Sequence, residues 1–280
     1  MTLYIGLMSG TSADGMDAAL IEYDQNLRLL DAICIPYAEE LRNTLRTVAI
    51  AADARIQQIV QLDRQIAGLS VTAVQTLLQR NHLTPDRIVA VGSHGHTLRH
   101  KSQPDGFSWQ IGDPSWIAEH TGITCVADFR RRDIAAGGQG APLVPAFHQA
   151  IFPPGSMVLN IGGIANLSIL PQPDGQLIGF DTGPGNALMD EWCQQNLSCS
   201  CDKGGQLASH GKVLQQRLHE WLNQPYFSQV PPKSTGRELF RLDYFGDLSI
   251  EDPLDVLATL TELTARSVAE AVSHYGHREG

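Results

Sequence analysis

The chain has 280 residues, 42% of them apolar and 18% charged, which is the composition of an ordinary globular protein with more chain than one small core needs. Its formal net charge of −10 argues against nucleic acid or an anionic membrane surface as the main partner, although local backbone amides still decide whether phosphates bind. No apolar stretch is long enough to span a bilayer and no basic segment precedes a cleavable apolar core, so the expected location is the cytoplasm.

Residues 3–9 and 17–23 read as apolar strands flanking the tight turn Gly10-Thr11-Ser12-Ala13-Asp14-Gly15. Glycines permit the bend, and several backbone N–H groups in such a turn can converge on one anion. Thr11 and Ser12 add hydroxyls, while Asp14 or Asp17 could hold a metal ion directly or through water. A plain hairpin is the competing reading, because Asp-Gly is common in hairpin turns. The chain lacks the Gly-Lys-Ser/Thr ending of a P-loop here, and no G-x-G-x-x-G follows a strand, so a Rossmann dinucleotide site is not expected.

A third strand over 27–35 would complete an antiparallel meander, and helical apolar spacing runs from about 39 to 81. Residues 88–92 read as a short buried strand with the polar tip Ser93-His94-Gly95-His96-Thr97. His94 and His96 share one face if this is a strand, so a zinc hydrolase competes with simple substrate contact. A strand at 107–111, a helix at 114–120 and a strand at 123–127 follow, then the exposed run Asp128-Phe-Arg130-Arg-Arg-Asp133. Three adjacent arginines usually form a solvated face, but beside the glycine joint at 137–142 one could clamp a carboxylate or phosphate, and Arg130 is the choice.

A second glycine hairpin, Asn160-Ile-Gly162-Gly163-Ile-Ala-Asn166, lies between apolar strands that run from Met157 to Asp181. Gly183-Pro-Gly185-Asn186 then opens a helix through Gln195. Asp181 thus sits where a strand ends before a helix N-terminus, a place suited to taking a proton from water or a hydroxyl near an anion. The bland alternative is a turn or N-cap aspartate. An aspartic protease would need two facing Asp-Thr-Gly carboxylates, and the chain has one. Residues 225–236 read as an irregular loop, and Val256, Leu257, Leu260, Leu263, Val268 and Val272 mark one face of a final helix. The odd count of five cysteines gives no disulfide framework, and Cys193, Cys199 and Cys201 lack the paired spacing of a zinc site. One glycine hairpin in each half suggests two lobes, 1–127 and 128–280, with a polyphosphate between them.

Four ordered motifs carry a resemblance: Gly6 to Asp17, Asp128 to Pro145, Asn160 to Asn166 and Gly179 to Asn186 are similar to those of the anhydro-N-acetylmuramic acid kinases. The resemblance runs from Met1 to about Val272 and implies a two-lobed α/β fold of the actin-like ATPase, ribonuclease H-like type, with an interlobe cleft. It implies an enzyme that uses ATP, Mg²⁺ and water to open the 1,6-anhydro ring of anhydro-N-acetylmuramate and phosphorylate O6 in cell-wall recycling. Carried over by motif, Gly10, Thr11, Ser12, Ala13, Asp14, Gly15, Met16 and Asp17 would form the phosphate loop, with Asn160, Gly162 and Gly163 in the second hairpin. Asp181 would be the base that activates water, and Thr97 and Arg130 would line the sugar pocket. Relatives suggest a homodimer. They continue past Val272 into a strand, a glycine-rich turn near the adenine and a substrate-side carboxylate, so the fold is expected to be C-terminally incomplete. A non-catalytic nucleotide- or sugar-binding remnant is the alternative. His96 stands where many relatives carry Gln.

Overall fold

The computed structural model describes residues 2–24, 26–51, 53–101, 106–172, 175–236 and 239–276. The chain is mixed α/β and divides between Gly140 and Ala141 into two compact units.

The first unit opens with the expected meander: β1 (Leu3–Ser9), β2 (Gly15–Tyr23) and β3 (Leu27–Pro36) pair antiparallel in that order. Helical spacing then produces two helices rather than one, α1 (Glu39–Ile50) and α2 (Ile56–Arg80), because the chain turns extended at Ala51. β1 alternates strictly: Leu3, Ile5 and Leu7 are buried and share a core with Ile66, Ala67, Val74 and Leu77 of α2. Each fully buried aliphatic side chain there contributes roughly 1.5–3 kcal/mol.

The short strand expected at 88–92 is in fact β4 (Ile88–Lys101), 14 residues long, and the polar histidine tip lies inside it. Its backbone finds partners on both sides. β4 runs parallel to β1 as far as Ser9↔His96, and antiparallel to β5 (Phe107–Ile111) from His96↔Ile111 onward. α3 (Pro114–Thr121) starts on Asp113, whose carboxylate accepts the Ser115 N–H, and ends on the left-handed Gly122. Only Cys125–Val126 of the expected next strand pairs with β4, as β6. The arginine run forms a helix, α4 (Phe129–Ala135), on which Arg131 and Arg132 are exposed and Arg130 is half-buried. The glycine stretch folds back onto it, with Gly138 N–H and Gly140 N–H donating to the carbonyl and carboxylate of Asp133.

The second unit begins with a helix that the sequence reading missed, α5 (Val144–Ile151). A second meander follows: β7 (Met157–Ile161), β8 (Ile164–Ile169) and β9 (Ile178–Pro184). α6 (Ala187–Asn196), α7 (Gln215–Leu222) and the long α8 (Pro253–Tyr275) complete it. Val256, Leu257, Leu260 and Leu263 of α8 bury against Trp192, Trp221, Phe240 and Phe245. In the first unit β4 occupies the outer edge of β1; among the described residues the outer edge of β7 has no strand partner. Met157, Leu159 and Ile161 along it are 42%, 40% and 53% exposed.

The β7–β8 turn is fused to the start of α6. Gly162 carbonyl accepts from Asn186 N–H, and Gly163 carbonyl accepts from Gly185 and Ala187 N–H. A Cβ at position 185 would collide with the Gly162 carbonyl. Gly185→Ala is therefore expected to cost more than about 2 kcal/mol, since neither backbone segment can yield cheaply. Chemical denaturation checks this: an unshifted midpoint would mean that the hairpin retreats freely.

Candidate functional site

In the first unit, Gly10–Asp14 forms a tight turn in which Ala13 N–H donates to Gly10 carbonyl and Ala13 takes a left-handed φ of 56°. Two arginines on α1, spaced one helical turn apart, grip this turn. Arg46 donates from Nε and Nη2 to the Ser12 carbonyl at 3.2 and 2.8 Å, and Arg42 donates to Asp14 Oδ1 at 2.8 Å. These arginines were not singled out from the sequence, in which 28 and 34 residues separate them from Asp14 and Ser12. Thr11, Asp14 and Asp17 are exposed, while Ala13, Gly15 and Met16 are buried. Met16 is fully enclosed beside Ser70 of α2, so it offers a ligand only its backbone. A Cβ at Gly10 would meet only Ser12 Oγ at 3.6 Å, so the outer side of the turn is open to an incoming group.

The two histidines of β4 do not face one partner. Between Leu7↔Ser93 and Ser9↔His96 the β1–β4 register slips, and Gly95 sits at the slip with a φ of 71°. A Cβ there would strike the Ile111 carbonyl. This bulge breaks the two-residue alternation on which the paired-ligand reading rested. His96 Nδ1 lies 2.9 Å from Ser9 Oγ, whereas His94 Nε2 lies 2.8 Å from Arg130 Nε. Among the described residues, no group of three or more His, Cys, Asp or Glu side chains is placed to hold a metal ion. Thr97 is half-buried on β4, its hydroxyl accepting from Gln110 Nε2 at 3.2 Å. Arg130, half-buried on α4, also donates from Nη1 to the Gly140 carbonyl at 2.8 Å.

Burial holds His94 and His96 in the neutral form, with pKa values lowered to about 4; the Arg130 charge reinforces the effect on His94, and His94 reinforces it on His96. Because the folded values lie below those of the unfolded chain, the stability they confer is complete above about pH 6.5 and is lost as pH falls towards 4. The slope is up to about 1.4 kcal/mol per pH unit for each ring. Urea melts between pH 7 and 4 are expected to show this loss in the first unit, and a flat profile would contradict the burial of these rings.

In the second unit, Asn160, Asn166 and Asp181 stand opposite one another across β7, β8 and β9. Cross-strand partners share a face, so the second glycine hairpin and the aspartate belong to one row. Asn160 is exposed, Gly162 and Gly163 are half-buried, and Asp181 is 6% exposed. The irregular loop at 225–236 supplies contacts that the sequence did not reveal. Thr235 N–H donates to Asp181 Oδ2 at 2.9 Å, Tyr226 Oη donates to Asp181 carbonyl at 2.8 Å, and Asp181 N–H donates to Lys233 carbonyl at 3.0 Å. Lys233, 8% exposed, donates from Nζ to the Tyr226 and Phe227 carbonyls and sits over the Tyr226 ring. Burial lowers its pKa, and the Asp181 charge opposes that shift. Asn166 Oδ1, Ser234 Oγ and Thr235 Oγ1 are buried nearby in sequence or register with no protein partner, an arrangement that suits a polar ligand or water. The helix terminus expected to attract anions is partly occupied, since the N–H groups of Asn186 and Ala187 at the start of α6 go to the Gly162 and Gly163 carbonyls. A recess of about 650 Å³ adjoins Phe180, Thr182, Lys233 and α8 and is not lined by Asp181.

Among the described residues no helix is long and apolar enough to cross a membrane. A family model for anhydro-N-acetylmuramic acid kinase matches residues 2–279. The anhydro-N-acetylmuramic acid kinase of Xanthomonas oryzae pv. oryzae (strain MAFF 311018) is 49% identical over 96% of this chain and 74% of its own length. That of Coxiella burnetii (strain Dugway 5J108-111) is 47% identical over 99% of this chain and 76% of its own. Among solved structures, a reductive activator for corrinoid, iron-sulfur protein aligns with 65% of this chain and 31% of its own at 12% identity and a TM-score of 0.41. An exopolyphosphatase-like protein aligns with 98% and 91% at 9% identity and a TM-score of 0.40.

Proposed function

The chain belongs to the anhydro-N-acetylmuramic acid kinase family, and on that premise we propose that it uses ATP and water to convert anhydro-N-acetylmuramate into N-acetylmuramate 6-phosphate and ADP. The observation that carries this reading is Asp181, a nearly buried carboxylate with one oxygen held by Thr235 N–H beside polar groups that await a partner. The two-lobed actin-like arrangement, a cytoplasmic location and a place in peptidoglycan recycling belong to the same reading.

In this reading Asp181 takes a proton from a water molecule as that water attacks the anomeric carbon. The C1–O6 bond breaks, and the electron pair left on O6 attacks the γ-phosphorus of ATP in line, displacing ADP. Thr97 and Arg130 orient the sugar, Arg130 with a guanidinium already fixed by His94 and Gly140. The open turn at Gly10–Asp17 takes the phosphates, its shape held by Arg42 and Arg46, and Asn160, Gly162 and Gly163 form the second phosphate contact. The exposed carboxylates of Asp14 and Asp17 suit Mg²⁺ held directly or through water; when bound, the ion would neutralise charge on the phosphoryl oxygens.

Incubation with ATP, Mg²⁺ and anhydro-N-acetylmuramate in H₂¹⁸O is expected to yield the sugar 6-phosphate with the label on the anomeric hydroxyl. Label in the phosphate instead would overturn hydrolytic ring opening. Sugar binding by calorimetry without turnover would favour the non-catalytic alternative.

A further inference from the structure

We infer that His94 is a positioning residue that aims Arg130, and that it acts as the neutral ring carrying its proton on Nδ1. The inference rests on the proposed role of Arg130 in sugar binding. Two contacts fix the tautomer. Nδ1 lies 3.0 Å from the Gly95 carbonyl, which can only accept, so Nδ1 carries the hydrogen. Nε2 lies 2.8 Å from Arg130 Nε, which can only donate, so Nε2 is bare. Nη1 of the same guanidinium donates to the Gly140 carbonyl, so its plane is held from β4 on one side and from the end of the glycine stretch on the other. The register slip at Gly95 brings His96, and not His94, against Ser9.

Protonation of His94 would set two cations against each other and remove the only acceptor that the ring offers. The charged and titratable groups around it do not compensate. Asp63 of α2 takes the Gly112 N–H at 2.7 Å, Asp113 takes the Ser115 N–H at 2.9 Å, and Asp128 pairs with Arg131 at 3.2 Å. His96 and His100 lie along the same strand, and both are neutral near pH 7 because burial lowers their pKa values to about 4. Burial and the Arg130 charge lower the His94 value likewise. The contact therefore persists at physiological pH and fails only in acid.

The test compares His94→Leu with His94→Gln, whose amide oxygen can still accept from Arg130 Nε–H. A hydrogen bond to a charged group is lost in the first, so KM for anhydro-N-acetylmuramate should rise about 10- to 100-fold with kcat within about threefold. His94→Gln should recover most of that loss. Between pH 6 and 4 the wild-type KM should climb more steeply than that of His94→Gln. The Arg130 Nε–H resonance in a ¹H–¹⁵N spectrum, slow to exchange in the wild type, should vanish in His94→Leu and return in His94→Gln. An unchanged KM together with an unchanged resonance in folded His94→Leu would overturn the inference. If the wild type phosphorylates no sugar, the functional reading fails, and the resonance alone decides whether His94 holds Arg130.

Discussion

Asp181→Asn is expected to lower kcat for sugar phosphorylation by about 10³-fold or more, within the range by which a positioned general base accelerates proton transfer. KM should change little, because the amide keeps the shape of the carboxylate and Thr235 N–H can still donate to its oxygen. The fold should survive, since Tyr226 Oη and the Lys233 carbonyl bond the main chain of Asp181, but stability should fall by about 1–3 kcal/mol because the buried Lys233 ammonium loses the charge that opposes its desolvation. The variant thus separates chemistry from structure. Mass spectrometry of the 6-phosphate, with calorimetry of sugar binding on the same preparation, measures both. Product formed at near the wild-type rate would remove Asp181 from the role of base. Loss of sugar binding along with turnover would mean that the substitution disturbs the row Asn160, Asn166 and Asp181 and does not isolate the proton transfer.

The parts of this molecule that were legible in the sequence are those whose signal is local. Alternating Leu3, Ile5 and Leu7 announce β1, and the glycines that follow announce its turn. The step from strand to helix was legible but placed too early: β9 continues to Pro184, so Asp181 lies inside the strand and not at its end. β4 was read too short because Ser93 to Thr97 are polar, but β1 pairs with it as far as His96 and β5 from His96 onward, so the ladder continues through the polar stretch. α5 was hidden by the prolines at 142 and 145, of which Pro145 opens the helix while packing onto Gly179. The contacts around the candidate site were out of reach for a different reason. His94 and Arg130 are separated by 36 residues, and Asp181 and Thr235 by 54, so nothing in either segment's own pattern points to the other. Lys233 in an irregular loop reads as a solvated charge, and only the fold shows it buried over Tyr226.

Lys233→Met should damage both stability and turnover, through one loop. The ammonium satisfies the Tyr226 and Phe227 carbonyls, and its loss leaves two acceptors short of a donor at roughly 1–3 kcal/mol each. It also leaves the Asp181 charge, which raises the Lys233 pKa, without its cationic partner. Against these losses stands one gain, because the buried ammonium itself costs desolvation free energy that methionine does not, and burial is the larger influence on its pKa. The net loss should therefore be about 1–3 kcal/mol, below the sum of the lost contacts. Turnover should suffer more than stability at working temperature. Thr235 N–H and the Lys233 carbonyl both reach Asp181 from this loop, and a carboxylate free to swing loses the alignment on which proton abstraction depends. A fall in kcat of about 10- to 100-fold is expected, with part of it regained in Lys233→Arg, whose guanidinium can still donate to the two carbonyls. Urea denaturation and steady-state kinetics on the folded variant measure the two effects separately. Wild-type kcat in a destabilised Lys233→Met would show that the loop braces the unit without holding the base, and wild-type values of both would mean that the ammonium contributes to neither.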